Sequence, residues 1–192
     1  MGNVLYKYRS VENFKNFVDI ILKNRLYAAQ YKSLNDPMEG QYYYHDGELD
    51  KNIRDKIYGE KQRLRLCSLS QTKNNELMWS HYSNGHKGVA IGVVIDDSDA
   101  TIRQIEYNDN LSLVRNQDYN GQTAIDILSH KLGVWNYEKE VRVFVEGKQY
   151  INVKVKEIIT GRAMKDEDFE FIEEFIKKVN SKIKIIKADT FM

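Results

Sequence analysis

The chain has 192 residues, 42% of them hydrophobic, and a formal net charge of +1 at pH 7. This size and composition predict one domain with a buried core over residues 1–192. The near-neutral charge excludes the strongly basic surface typical of duplex-DNA-binding proteins, although it leaves room for a local basic patch. The single cysteine, Cys67, excludes a disulfide framework and a cysteine-rich zinc site. With no signal-peptide pattern and no apolar run near the ~18 residues of a membrane-spanning helix, we expect a cytoplasmic protein without membrane contact.

The first third of the chain shows strand and helix patterns in alternation. Residues 4–9 alternate as in a strand, and Phe14, Phe17 and Ile21 recur at helical spacing. The predicted elements are a strand over residues 4–9, a helix capped by Ser10 that ends near Asn24, a strand over residues 25–30, a turn and short helix begun by Pro37, and a solvent-facing helix within residues 47–63.

The middle of the chain is predicted to form the centre of the sheet. Residues 66–70 and 87–95 are apolar runs typical of strands, and a compact helix around residues 78–82 separates them. Ligands often bind where the chain leaves and re-enters a sheet. The polar side chains expected at these positions are Ser68, Ser70, Ser80, His81, Tyr82, His86 and Lys87.

The last part of the chain is dominated by strands. The predicted elements are an edge strand over residues 102–107, a helix over 123–132, a turn at 135–140 that enters a strand over 141–145, a strand over 155–160, a helix over 165–179 and a strand over 183–187. This order predicts an α+β fold with a mixed, mostly antiparallel sheet and flanking helices. No glycine-rich phosphate-binding motif is present.

Histidine and cysteine offer two candidate chemistries. His81 and His86 are five residues apart, a spacing that does not place two ligands on one helix face, so no metal site is expected. His81 is a candidate base or substrate-orienting residue, with a structural, hydrogen-bonded histidine as the alternative. Cys67 lies in an apolar strand, which favours a buried thiol over a nucleophile.

Two carboxylates near the end of the predicted turn form a third candidate. On a strand, Glu138 and Glu140 would point to the same face and line a cleft that stabilises a cation-like transition state. Trp135 lies just upstream and offers an aromatic wall. The alternative is that both acids are rim charges beside Lys139 and Arg142.

Five segments together carry a resemblance to a known family. The chain resembles the bacterial family known as domain of unknown function 2971 in residues 5–9, 34–39, 67–70, 78–82 with 86–88, and 135–142. Met38 and Leu69 stand where phenylalanine is usual, and both positions tolerate such a change of volume. The family name implies no activity.

A second resemblance concerns mechanism. Arg9, the Ser68-Leu69-Ser70 segment and the Glu138-x-Glu140 pair look like the Arg, Ser-Thr-Ser and Glu-x-Glu pattern of ADP-ribosyltransferases. The resemblance implies NAD as the cofactor, with Arg9 on its pyrophosphate and Ser68 supporting the nicotinamide pocket. It also implies that Glu140 holds the ribose 2′-hydroxyl and stabilises the oxocarbenium-like cation, while Glu138 activates a protein or nucleic-acid acceptor. Tyr6 or Trp79 would stack on the ring, and the other cofactor-binding candidates are Tyr8, Ser70, Tyr82 and Trp135.

Two other functions remain open from the residues. The same aromatics suit a non-catalytic nucleotide- or nucleic-acid-sensing module, for example in phage defence or a stress response. Alternatively, the polar cluster is a hydrogen-bonded core of a structural or interaction protein. The sequence leaves the oligomeric state open.

Overall fold

The computed structural model describes residues 3–188 and has the predicted α+β fold. Its helices are α1 (Phe14–Lys23), α2 (Lys51–Arg63), α3 (Glu76–Tyr82), α4 (Thr123–Ile127) and α5 (Asp166–Val179). Its strands are β1 (Leu5–Arg9), β2 (Arg25–Tyr27), β3 (Leu64–Ser70), β4 (Val89–Ile95), β5 (Thr101–Gln104), β6 (Glu106–Asn108), β7 (His130–Leu132), β8 (Glu140–Glu146), β9 (Tyr150–Thr160) and β10 (Lys184–Lys187). The single domain over residues 1–192 stays a prediction, and its first two and last four residues lie outside the described range.

Most of the strands join one mixed sheet. In the described residues its order is β10-β9-β4-β1-β3-β8-β5, and β2 pairs with β9. Every ladder in it is antiparallel except that between β9 and β10. Strands β6 and β7 form a separate parallel pair. The predicted mostly antiparallel sheet is therefore confirmed. The edge strand predicted over residues 102–107 is divided, since β5 lies at an edge of this sheet whereas β6 belongs to the separate pair.

The centre of the sheet differs from the prediction in one respect. The two strands of the central unit, β3 and β4, are not neighbours, because β1 lies between them. Strand β1 pairs with β4 along its whole length, but with β3 only at Tyr6 and Ser70. The sheet therefore opens between β1 and β3 beyond this pair.

The two faces of the sheet carry different side chains. On one face Leu5, Cys67 and Leu69 pack in the main apolar core, which also contains residues of α1 and α5. Because side chains alternate along a strand, Arg9 lies on the same face as Leu5. The same alternation places Ser68 and Ser70 on the opposite face. Cys67 is a buried free thiol, as the sequence predicts.

Several element boundaries differ because tertiary contacts override local signals. Helix α1 begins at Phe14, and the Ser10 hydroxyl accepts a hydrogen bond from Glu12 N (3.1 Å) in the turn before it. Pro37 begins a turn that does not continue as a helix. Helix α4 ends at Ile127, where the Leu128 carbonyl accepts a hydrogen bond from Arg142 and the chain extends into β7. Within the described residues, no helix has the length and apolar character needed to cross a membrane.

Candidate functional site

A cleft of about 1000 Å³ lies where β1 and β3 separate, and we call it the central cleft. Arg9, Ser68 and Glu140, which are far apart in the sequence, all line it. Six other predicted site residues also line it, namely Tyr6, Tyr8, Ser70, Tyr82, Trp135 and Glu138. Because Arg9 and Ser68 lie on opposite faces of the sheet, the central cleft passes through the opening between the two strands.

The side of the central cleft near α1 is basic. Lys7 and Arg9 contribute from β1, and Lys15 contributes from α1. The Lys7 ammonium donates to the Ser68 carbonyl (3.0 Å) and so bridges the opening between β1 and β3. Burial lowers the pKa of the half-buried Arg9, and among residues 3–188 no carboxylate is paired with it. A guanidinium without an acidic partner is well suited to bind an anion.

The opposite side of the central cleft contains the two predicted acids, although not on one strand as expected. Glu138 ends a 3₁₀ helix over Gly133–Glu138, Lys139 has a left-handed backbone (φ 44°), and Glu140 begins β8. Both carboxylates are nevertheless buried and contact the same cation. Lys131 Nζ lies 2.6 Å from Glu138 Oε2 and 3.2 Å from Glu140 Oε2. The alternative that these acids are exposed rim charges is therefore wrong.

A buried arginine completes this arrangement. Arg142 is fully buried, and its guanidinium donates to Glu140 Oε1 (2.7 Å), Glu39 Oε1 (2.6 Å) and the Leu128 carbonyl (2.6 Å). Three carboxylates and two cations thus form one group, which we call the buried charge cluster: Glu39, Lys131, Glu138, Glu140 and Arg142. Buried ions require such partners because desolvation otherwise disfavours their charged form.

The two predicted acids differ in their protonation behaviour. Burial alone would raise the pKa of Glu140, but Arg142 and Lys131 outweigh it and lower that pKa to about 2. For Glu138 burial is the dominant effect and raises the pKa, despite the hydrogen bond from Lys131. Glu140 is therefore ionised at neutral pH, whereas Glu138 holds a proton more readily than an exposed glutamate.

Several predicted cofactor-binding residues make hydrogen bonds within the protein. The Tyr82 hydroxyl donates to Glu138 Oε1 (2.5 Å), and burial with this acidic neighbour raises its pKa. Tyr6 donates to Glu157 (2.9 Å), and Tyr8 to the Thr72 carbonyl (3.0 Å). Ser70 donates to the Glu138 carbonyl (2.7 Å) and so fixes the backbone beside the acids. These hydrogen bonds hold the four side chains in place along the wall of the central cleft.

Two predicted site residues do not line the central cleft. Trp79 is buried under the sheet, donates from Nε1 to the Lys73 carbonyl (2.9 Å) and packs edge-on against Tyr8. It borders a separate cavity of about 220 Å³ beside His86. His81 is exposed on α3, because this short helix turns Met78 and Trp79 toward the sheet. We therefore correct the expectation that Trp79 stacks on a ligand ring and that His81 takes part in the chemistry of this cleft.

Three members of the buried charge cluster are not among the site residues predicted from the sequence: Glu39, Lys131 and Arg142. Arg142 had a recognisable signal, since it stands inside the apolar run of residues 141–145. A central strand covered on both faces buries such a cation, which must then find acids. Glu39 and Lys131 come from a turn and from β7, and no local pattern indicates that they meet Arg142.

Among residues 3–188, no group of three or more His, Cys, Asp or Glu side chains is arranged to hold a metal ion. Comparison with protein-family models, curated proteins and solved structures found no match. The geometry of the central cleft is therefore the basis on which a function is proposed.

Proposed function

We propose that the central cleft binds a nucleotide, with NAD as the dinucleotide, and that the protein transfers ADP-ribose in the manner of an ADP-ribosyltransferase. One observation carries the proposal: Arg9, Ser68 and Glu140, three elements of the sequence resemblance, line the same cleft. Its volume of about 1000 Å³ is at the upper end of ordinary ligand sites, as a dinucleotide requires.

The opposite charges of the two sides suggest how a dinucleotide would lie. Phosphates would bind on the basic side, where Arg9 has no acidic partner among the described residues and Lys7 also lines the cleft. The nicotinamide ribose would lie toward Glu138 and Glu140. A cationic sugar developing there would be stabilised by the ionised Glu140, because a preorganised charge acts strongly in a site sheltered from water.

The proposed reaction is a glycosyl transfer. The bond between C1′ of the ribose and the nicotinamide nitrogen breaks, and the bonding electron pair leaves with nicotinamide. An acceptor hydroxyl or amine on a protein or nucleic acid then forms the new bond to C1′. Its proton passes to Glu138, whose raised pKa favours accepting it.

One observation favours a second candidate, nucleotide binding without catalysis. Both acids are already engaged by Lys131, and Glu140 is also engaged by Arg142, which leaves less free charge for a reacting ligand. Such a protein would be a nucleotide or nucleic-acid sensor, in phage defence or a stress response. We also propose that the chain belongs to the domain of unknown function 2971 family and that the protein is located in the cytoplasm.

Replacement of Arg9 by methionine is expected to weaken NAD binding by about ten- to hundredfold, because a charge-assisted phosphate contact is lost. Isothermal titration calorimetry of the wild-type protein and the variant measures this ratio. The matched control is Arg103→Met, since Arg103 is exposed on β5 and does not line the central cleft. Equal NAD affinity in both variants would contradict the assignment of Arg9 to the phosphates.

Replacement of Glu140 by glutamine is expected to lower the rate of nicotinamide release from NAD by about 100-fold, because the ionised carboxylate facing the cation is lost. Nicotinamide release is followed by chromatography, with an unfolding curve to establish that the variant is folded. Glu146→Gln, at the exposed end of the same strand, should keep the wild-type rate. If the wild-type protein binds NAD without releasing nicotinamide, the sensor is the correct candidate.

A further inference from the structure

One wall of the central cleft consists of alternate residues of a single extended segment. Arg25, Tyr27 and Ala29 line the cleft, whereas the two residues between them are buried in the main apolar core. This is the alternation of a strand, so one face of β2 and of the residues that follow it is turned toward the cleft. Ala29 exchanges two backbone hydrogen bonds with Leu66 of β3 (both 2.8 Å). We call Arg25, Tyr27 and Ala29 the β2 wall, and it adjoins the strand beside which the sheet opens.

The cleft continues along helix α1 as far as this wall. Lys15 near the start of α1 and Lys23 at its end both line the cleft, and they lie about 12 Å apart along the helix axis. Arg9 precedes this helix in the chain, and the β2 wall follows it. The cleft therefore has room for a further part of a ligand beyond the group that Arg9 binds.

The cation of the β2 wall is neutralised within the protein. The Arg25 guanidinium donates to both carboxylate oxygens of Asp19 (2.8 and 3.0 Å), and it lies 3.6 Å from the centroid of the Tyr150 ring. By contrast, Arg9 has no carboxylate partner among residues 3–188. Because an ion pair reduces the attraction of a cation for other anions, phosphates should bind at Arg9 rather than at Arg25.

Tyr27 makes the β2 wall aromatic and accessible. The residue is 54% exposed although it lines the cleft, so a ligand can reach its side chain. Tyr150, its partner on β9, also lines the cleft, and the two rings contact each other edge-on with centroids 5.8 Å apart. Covering an exposed aromatic ring with a flat apolar group is favourable. The wall therefore suits an uncharged ring better than a phosphate.

We infer that the adenine base of the bound dinucleotide stacks on Tyr27, so that the β2 wall is the adenine end of the central cleft. The identity of the base rests on the proposed function, which assigns the phosphates to Arg9 and the nicotinamide ribose to the two acids. The part of NAD that remains is the adenosine, whose base is a flat and uncharged ring. Tyr27 is then a binding residue that determines the preference for a dinucleotide.

The inference is tested by calorimetry with ADP-ribose and an analogue of it in which hydrogen replaces the adenine. Neither compound contains nicotinamide, so the result is independent of catalysis. The wild-type protein should bind ADP-ribose about tenfold more tightly than the analogue, because a base stacked on an aromatic side chain adds affinity. In Tyr27→Ala this preference should fall to nearly one, whereas Tyr27→Phe keeps the ring and should keep the preference.

The controls separate a binding role from a structural one. Tyr58 on α2 is 53% exposed, much like Tyr27, but does not line the central cleft, so Tyr58→Ala should keep the tenfold preference. If Tyr27→Ala does not fold, Tyr27→Val supplies a residue that favours strands but has no ring, and its preference should be reduced. A folded Tyr27→Ala that keeps the full preference, or that weakens both compounds equally, overturns the inference.

The same measurements distinguish the inference from the proposed function. If the preference for ADP-ribose depends on Tyr27 but the wild-type protein releases no nicotinamide from NAD, the transferase proposal fails and the inference stands. Release of nicotinamide together with a preference that does not depend on Tyr27 gives the opposite result. A wild-type protein that does not bind ADP-ribose, or binds it no more tightly than the analogue, would also overturn the inference.

Discussion

Replacing Arg142 by methionine is expected to lower the free energy of unfolding by about 3–5 kcal/mol, because it leaves buried carboxylates without their main cation. Arg142 is fully buried and donates to Glu39, Glu140 and the Leu128 carbonyl. Methionine is similarly long but supplies none of these hydrogen bonds. Urea denaturation of the wild-type protein and the variant, monitored by circular dichroism, measures the difference.

The chain offers a matched control for this prediction. Arg63 forms an ion pair with Glu146 (2.8 Å) in which both side chains are more than half exposed. Because exposed ion pairs contribute little, Arg63→Met should cost at most about 1 kcal/mol. Adding Glu140→Gln to Arg142→Met should recover part of the lost stability, since one unpaired charge is removed. Equal losses for Arg142→Met and Arg63→Met would contradict the structural role of the buried charge cluster.

The contribution of Glu140 to the free energy of unfolding is expected to fall strongly when the pH is lowered. In the folded protein Arg142 and Lys131, acting against burial, lower the pKa of Glu140 from an ordinary value of 4.5 to about 2. A carboxyl group whose pKa is lowered by folding stabilises the folded protein at pH values above its pKa in the unfolded chain. This stabilisation is lost as the pH falls through the pKa of the folded state. Glu140 should therefore contribute about 3 kcal/mol at pH 6 and about half of that at pH 3.

The Glu140 contribution is measured as the difference in unfolding free energy between the wild-type protein and Glu140→Gln at each pH. Comparison with the variant is necessary because the raised pKa of Glu138 acts in the opposite direction: its protonation on acidification favours the folded state. The control Glu146→Gln should show a small difference that hardly varies with pH, because Glu146 is exposed. A difference for Glu140→Gln that stays constant from pH 6 to pH 3 would refute the lowered pKa.

The central strands were predictable because their signals are local. Residues 66–70 and 87–95 are apolar runs, and the structure has β3 and β4 there. Helix α5 has acidic residues in its first turn and basic residues in its last turn, and these charges complement the helix dipole. The helix predicted over residues 123–132 was too long, because the signal that ends α4 comes from Arg142 on a distant strand.

The candidate site was only partly predictable. Glu138 and Glu140 were found as a pair, but Lys139 with its left-handed backbone changes how the two carboxylates meet. The sequence predicts Trp79 beside the ligand because aromatic side chains stack on nucleotide bases, whereas in the structure Trp79 packs under the sheet. An aromatic residue on a short amphipathic helix serves a core or a ligand equally well, and the sequence does not distinguish them.

By itself, the sequence determined the kinds of elements in this protein and the near-neutral, α+β character of the chain. These depend on the spacing of apolar side chains and on local turn chemistry, which act between near neighbours. Only the tertiary structure decided that β1 enters between β3 and β4, and that the sheet opens beside Ser68. It also decided that Glu39, Lys131 and Arg142 meet the predicted acids, because pairing of buried charges depends on distances between segments far apart in the chain.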